Sequence, residues 1–108
     1  LYYNYRISQK NGILVPEISD NQEAFHLYII RIKKEYGKSR DKVFERLLRY
    51  GIRSTVHYKP LHMFTIFKRK AKIYDNLIKS TQLYKEIISL PFYSQISKSE
   101  QDAVIDCL

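Results

Sequence analysis

The sequence predicts an α+β fold: a small antiparallel or mixed sheet with helices packed on it. Three observations carry that reading. Phe25–Lys33 is a nearly unbroken run of aromatic, aliphatic and β-branched residues, the composition of a strand covered on at least one side. Arg40–Arg49 places Val43, Phe44, Leu47 and Leu48 on one stripe behind a serine, the pattern of an amphipathic helix. Ser97-Lys98-Ser99-Glu100 is a Ser-x-x-Glu capping box at the start of a further helix. Strands and helices in one short chain give a sheet with helices on it.

Taken in order, residues 1–9 read as the end of a helix, with Leu1, Tyr2 and Tyr5 at helical spacing. Asn11-Gly12 closes it, because glycine accepts the left-handed backbone that stops a helix. Ile13–Glu17 is a short β-prone segment, and Pro16 confines it to an edge or a strand end. Ile18–Ala24 is polar and turn-rich. In Phe25–Lys33, alternation sets Leu27, Ile29 and Arg31 on one face and His26, Tyr28, Ile30 and Ile32 on the other. A loop follows, and Ser39 caps the next helix by accepting from a free first-turn N–H. Arg40, Lys42, Glu45, Arg46 and Arg49 are expected on its solvated face, and Gly51 ends it.

Ile52–Tyr58 is expected to return as a strand, making a strand–helix–strand unit with Phe25–Gly51. Lys59–Lys72 has no clean period; residues 61–68 fit either a short helical turn or a loop over the sheet. A helix over Asn76–Ile88 would bury Leu77, Ile78, Thr81, Tyr84 and Ile88. Ser89–Tyr93 is extended, and the last helix runs from the capping box through Val104 with Ile96 as its staple.

The bulk properties bound the function. The 108 residues fit a single domain, 1–108, and 44% hydrophobic content is too high for a disordered chain. The single cysteine, Cys107, cannot form an internal disulfide. No apolar run approaches a membrane span, and no signal-peptide pattern opens the chain, so a cytoplasmic protein is expected. The chain starts without methionine and in mid-element, the expected look of a piece of something longer. A net charge of +8 with ten tyrosines is compatible with nucleic-acid binding, cations meeting phosphate and rings meeting bases.

The chemistry concentrates in GIRSTVHYKPLH, Gly51–His62. His57 and His62 lie five apart around Pro60, not at the i, i+4 spacing of a zinc protease, and no thiol or carboxylate is near in sequence. No metal is expected; hydrogen-bonded structural roles are the plainer reading of the histidines. Cys107 lacks a neighbouring base, and no glycine-rich phosphate loop exists. The chain is therefore expected to lack a complete active site. His57, Tyr58 and Lys59 leave a strand end together, where sites are usually built, and could hold an anionic, hydroxyl-rich ligand. The alternative is a buried Tyr58 beside surface cations.

FHLYIIRI, SRDKVFERLLRYGI, STVHYKPLH, EIISLPFY and SKSEQDAVIDCL follow one another in this order across essentially the whole chain. The pattern resembles the C-terminal domain of the DegT/DnrJ/EryC1/StrS aminotransferases, the nucleotide-sugar enzymes of polysaccharide pathways. HYKPLH and SLPFY in this order carry most of its specificity. The resemblance implies the C-terminal small domain of a fold-type I, pyridoxal-phosphate-dependent transferase, usually dimeric. It implies a large N-terminal domain, outside this chain, that carries the Schiff-base lysine and the cofactor. This chain would then hold no catalytic or cofactor-binding residue and would be inactive alone. The substrates implied are an amino-acid donor, glutamate, and a nucleotide-linked keto-sugar. His57 and Tyr58 would face the cleft, with Lys59 and His62 as further substrate-binding candidates. Arg31 would be structural, and Leu90 and Pro91 would turn the chain towards the last helix. Met63–Lys72 is unusually basic for the pattern. The competing readings are a basic, tyrosine-rich nucleic-acid-binding module and a protein-interaction module without the chemistry.

Overall fold

In a computed structural model, residues 2–18, 25–73 and 75–108 are described. Most of the expected polar turn, Ile18–Ala24, lies outside them. The chain runs α1 (Tyr2–Ile7), β1 (Ile13–Leu14), β2 (Tyr28–Ile32), a 3-10 turn (Lys34–Tyr36), α2 (Arg40–Arg49), a second 3-10 turn (Leu61–Met63), α3 (Thr65–Lys70), α4 (Ile78–Glu86), β3 (Ile87–Leu90) and α5 (Lys98–Asp106). The sheet is antiparallel in the order β1-β2-β3. The aromatic, β-branched strand is therefore the central one. Ile13 pairs with Ile32, and Tyr28, Ile29, Ile30 and Arg31 face Leu90, Ser89, Ile88 and Ile87.

Alternation along β2 divides the molecule as expected. Tyr28, Ile30 and Ile32 are buried, while Ile29 and Arg31 are half-buried. The buried face meets Tyr3 and Ile7 of α1, Val43 and Leu47 of α2, and Val104 and Ile105 of α5 in one core. Tyr28 stacks obliquely between Tyr3 and Phe92, with ring centroids 5.0 and 5.9 Å away. Its hydroxyl donates to Asn4, so the buried phenol is not left unsatisfied.

Local chemistry sets the ends of the elements. Ser39 caps α2 by accepting from Lys42 N–H, and Gly51 follows that helix with φ of 74°. In α5, Ser97 and Glu100 complete the reciprocal capping box, and Ile96 packs against the core. Gly12 is required twice over. Its φ is 76°, and a Cβ there would stand 2.1 Å from the backbone nitrogen of Tyr36.

Several expectations need correction. Ile52–Tyr58 is not a strand: its one bridge joins Thr55 to Ser89 on the outer edge of β3. Its polar centre, Arg53–Thr55, gives a longer ladder little apolar surface to hold it. The third strand is Ile87–Leu90, two residues of which were expected in the Asn76–Ile88 helix. Ile88 fits a helical stripe through Thr81 and Tyr84, but the ladder opposite Ile30 claims it. Leu77, just before α4, and Thr81 and Tyr84 within it do form a half-buried face, whereas Ile78 is exposed and no helix residue is fully buried. In α2 the stripe is narrower than expected, because Leu48 is 59% exposed. Arg40, expected in solvent, is 8% exposed. Its Nη1 donates to the Ile87 carbonyl at 3.0 Å and its guanidinium lies 5.2 Å from the Tyr84 ring centroid. A strand-end carbonyl beside the helix N-terminus needs a donor, and Arg40 supplies it.

Candidate functional site

The segment from Ser54 to His62 lies against β3 and α4, and those two elements position its side chains. Thr55 and Ser89 exchange backbone hydrogen bonds, Thr55 N–H to Ser89 O at 3.1 Å and Ser89 N–H to Thr55 O at 2.8 Å. Two residues on, the imidazole of His57 comes back over that bridge. Its Nδ1 is 2.9 Å from Ser89 Oγ and 3.2 Å from Thr55 Oγ1. The ring packs beside Tyr58 at 4.7 Å between centroids, across a cis His57–Tyr58 peptide bond. Tyr58 itself is 73% exposed, so the buried-tyrosine alternative is excluded.

Lys59 is exposed, and its Nζ sits 4.9 Å from the Phe64 ring centroid. That cation–π contact holds an ammonium above an apolar surface while leaving it available to an anion. His62 is half-buried and fixed from the other side, its Nε2 2.8 Å from Thr81 Oγ1 on α4. Pro60 between the histidines has φ of −58° and starts the 3-10 turn that carries His62.

The structure thus ties each histidine of this segment to a hydroxyl of a neighbouring element: His57 to Ser89, His62 to Thr81. These hydrogen-bonded roles are the plainer ones raised by the sequence. Among the described residues, no group of three His, Cys, Asp or Glu side chains could hold a metal ion. Ser89 was not singled out in the sequence, and Thr81 was named only as part of a helix stripe. The one available signal was Ser89 itself, a hydroxyl inside the apolar run IISLP, where a buried polar group needs a partner.

The surface around these groups is open and apolar. Tyr58, Leu61, Phe64, Ile66 and Phe67 are all exposed, and neither the Leu61–Met63 turn nor α3 buries a residue. Lys68, Arg69 and Lys70 form the last turn of α3. Away from this face, Arg31 donates to Glu86 from Nε and Nη2 at 3.0 and 2.8 Å, and Lys33 reaches the other oxygen at 2.9 Å. Arg31 is therefore engaged in joining β2 to α4. A cavity of about 460 Å³ beside this network is lined by Lys33, Lys38, Arg40, Lys85 and Glu86, and by none of the four candidate binding residues. Among the described residues, no helix is long and apolar enough to cross a membrane.

Comparison with known proteins gives this arrangement a context. The family model described as the DegT/DnrJ/EryC1/StrS aminotransferase family matches residues 1–108. The chain is 26% identical over 110 residues to the spore coat polysaccharide biosynthesis protein SpsC of Bacillus subtilis (strain 168), covering 98% of this chain and 28% of that protein. It is 28% identical over 108 residues to a UDP-4-amino-4,6-dideoxy-N-acetyl-beta-L-altrosamine transaminase of Campylobacter jejuni, covering 99% of this chain and 28% of that one. The crystal structure of a DegT DnrJ EryC1 StrS aminotransferase from Brucella abortus superposes with a TM-score of 0.78 at 30% identity, over 98% of this chain and 27% of that one. The chain therefore spans a little over a quarter of the length of these relatives, in their C-terminal part.

Proposed function

Because the chain belongs to the DegT/DnrJ/EryC1/StrS aminotransferase family, we propose that residues 1–108 form the C-terminal small domain of a pyridoxal-phosphate-dependent sugar aminotransferase. The whole enzyme moves an amino group from an amino acid, glutamate, to a nucleotide-linked keto-sugar for polysaccharide biosynthesis, in the cytoplasm and as a homodimer. The observation that carries this reading is the family match across every residue of a chain that spans 28% of its relatives.

Pyridoxal phosphate supplies the electron sink that lets nitrogen pass between donor and acceptor carbons. The residues of this chain do not fit the holding of that group. Among the described residues every lysine is exposed or half-buried, and Lys33, one of the half-buried ones, is tied to Glu86 at 2.9 Å. A Schiff-base lysine needs an enclosed site, and this chain by itself encloses none of these side chains. The cofactor is therefore assigned to a large N-terminal domain, and the segment alone is expected to be inactive.

What this chain contributes is one wall of the substrate cleft. His57 and Tyr58 offer an imidazole and a phenol on a fixed edge, Lys59 offers a cation, and His62 lies one turn further along. Together they suit an anionic, hydroxyl-rich ligand such as a sugar nucleotide. The exposed apolar surface of residues 58–67 suits contact with the large domain and the cleft.

The test is made on the complete protein, extended upstream of Leu1. It should bind added pyridoxal phosphate with a visible absorbance band that borohydride abolishes, and replacing His57 and Tyr58 together should impair amino transfer. Without a reducible band the aminotransferase reading fails; unchanged turnover in the double variant removes the assignment of the cleft wall.

A further inference from the structure

We infer that Ser89 is a positioning residue: its hydroxyl donates to His57 Nδ1, which fixes the imidazole as the Nε2–H tautomer and presents that N–H to an acceptor oxygen of the substrate. The inference rests on the reading of His57 as a cleft residue, and it adds what His57 offers the ligand and which residue decides it.

The argument is one of hydrogen-bond accounting. Ser89 is 3% exposed, in the middle of β3. Its backbone is committed on both edges, being paired with Ile29 on β2 and bonded to Thr55 on the other side. The backbone position of Ser89 is therefore fixed by its neighbours on both sides. A hydroxyl carries one proton and two lone pairs. Water is excluded at this depth, so the proton must find a protein acceptor or cost on the order of 1–3 kcal/mol unsatisfied. Among the described residues, the one partner of Ser89 Oγ is His57 Nδ1, at 2.9 Å.

Thr55 also touches that nitrogen, at 3.2 Å, but it is exposed and can give its proton to water. The buried hydroxyl has no such alternative, so Ser89 is the donor. Neutral imidazole has one N–H and one bare nitrogen. With Nδ1 accepting, the proton resides on Nε2, which has no protein partner among the described residues. The rim therefore carries a donor, not a base. Its complement on a nucleotide-linked keto-sugar is an oxygen: a phosphoryl oxygen or an oxygen of the sugar.

The complete protein, reconstituted with pyridoxal phosphate and labelled with nitrogen-15 in its histidine rings, gives the test. Nitrogen shifts distinguish the two neutral tautomers, and His57→Gln assigns the signal. The expected result is Nε2–H at His57 in the wild-type protein, loss of that preference in Ser89→Ala, and its retention in Thr55→Val. Ser89→Ala should also raise KM for the sugar nucleotide about three- to tenfold, the worth of one hydrogen bond, with kcat within about twofold. His57→Gln, which removes the imidazole N–H itself, should raise KM at least as much. If a nucleoside diphosphate used as inhibitor weakens by the same factor, the acceptor is a phosphoryl oxygen; if only the keto-sugar weakens, it is a sugar oxygen. A proton on Nδ1, or an unaltered tautomer in Ser89→Ala, overturns the inference, and the wild-type spectrum decides this even if the variant does not fold. A KM unmoved by His57→Gln overturns it as well, together with the cleft assignment of His57. Failure of the broader reading looks different: no reducible absorbance, with the tautomer spectrum unaffected.

Discussion

Glu86 is the residue where opposing electrostatic pushes are easiest to separate. Burial raises its pKa, and hydrogen bonds from Lys33, Arg31 and Gln82 lower it by more, leaving it below its ordinary 4.5. A carboxylate whose folded pKa is depressed adds stability above the unfolded value and loses it as pH falls through the folded one. Denaturant titrations stepped from neutral pH to below the ordinary glutamate range should therefore show a stability loss in the wild-type protein that is smaller in Glu86→Gln. At neutral pH the variant should be weaker by about 1 kcal/mol, since Arg31 is partly solvated and water screens the pair. Parallel pH curves for the two proteins would mean that the triad contributes nothing to folding. The triad was invisible in the sequence: Arg31 and Glu86 lie far apart in the chain, and only the packing of α4 on β2 joins them. Tyr58, by contrast, could be named as a candidate from the sequence, because a tyrosine between a histidine and a lysine at an expected strand end is a local signal.

At the scale of elements, α2 offers a clean comparison. Leu47 and Leu48 are adjacent, chemically identical and both part of the expected stripe, yet Leu47 is fully buried and Leu48 is 59% exposed. Leu47→Ala should cost about 2–5 kcal/mol, transfer plus cavity, while Leu48→Ala should stay within about 0.5 kcal/mol. Equal costs, measured by chemical denaturation, would contradict the observed rotation of the helix on the sheet. Periodicity identified the helix and its caps, because those depend on neighbours three or four residues away. It did not set the width of the buried face, which depends on how far the sheet extends beneath it. The same limit misplaced β3: Ile87 and Ile88 suit helix and strand alike, and their partners on β2 decide.

At the scale of the whole molecule, the dominant feature is a face left uncovered. Residues 58–67 expose Tyr58, Leu61, Phe64, Ile66 and Phe67 next to Lys68, Arg69 and Lys70. An apolar patch of this kind normally meets another surface. The 108-residue segment made alone should self-associate through it, and Leu61→Ser with Ile66→Ser should reduce the association. Sedimentation velocity across a concentration series reads this directly; a monomer at every concentration would count against the patch as an interface. The polynucleotide reading rests instead on the net charge of +8 and the ten tyrosines, with Lys68, Arg69 and Lys70 as its basic cluster.

The sequence by itself determined the α+β class, the central strand, both serine caps, the glycine stop after α2 and, through HYKPLH and SLPFY, the family. All of these rest on interactions between residues close in the chain, or on residue order. Only the tertiary structure decided that Ile87–Leu90 is the third strand, that Arg40 is buried, and that Ser89 and Thr81 hold His57 and His62. Each of those depends on an element's neighbour across the fold. A hydroxyl's role is set by which lone pair or proton lies within about 3 Å of it, and no local pattern encodes that distance.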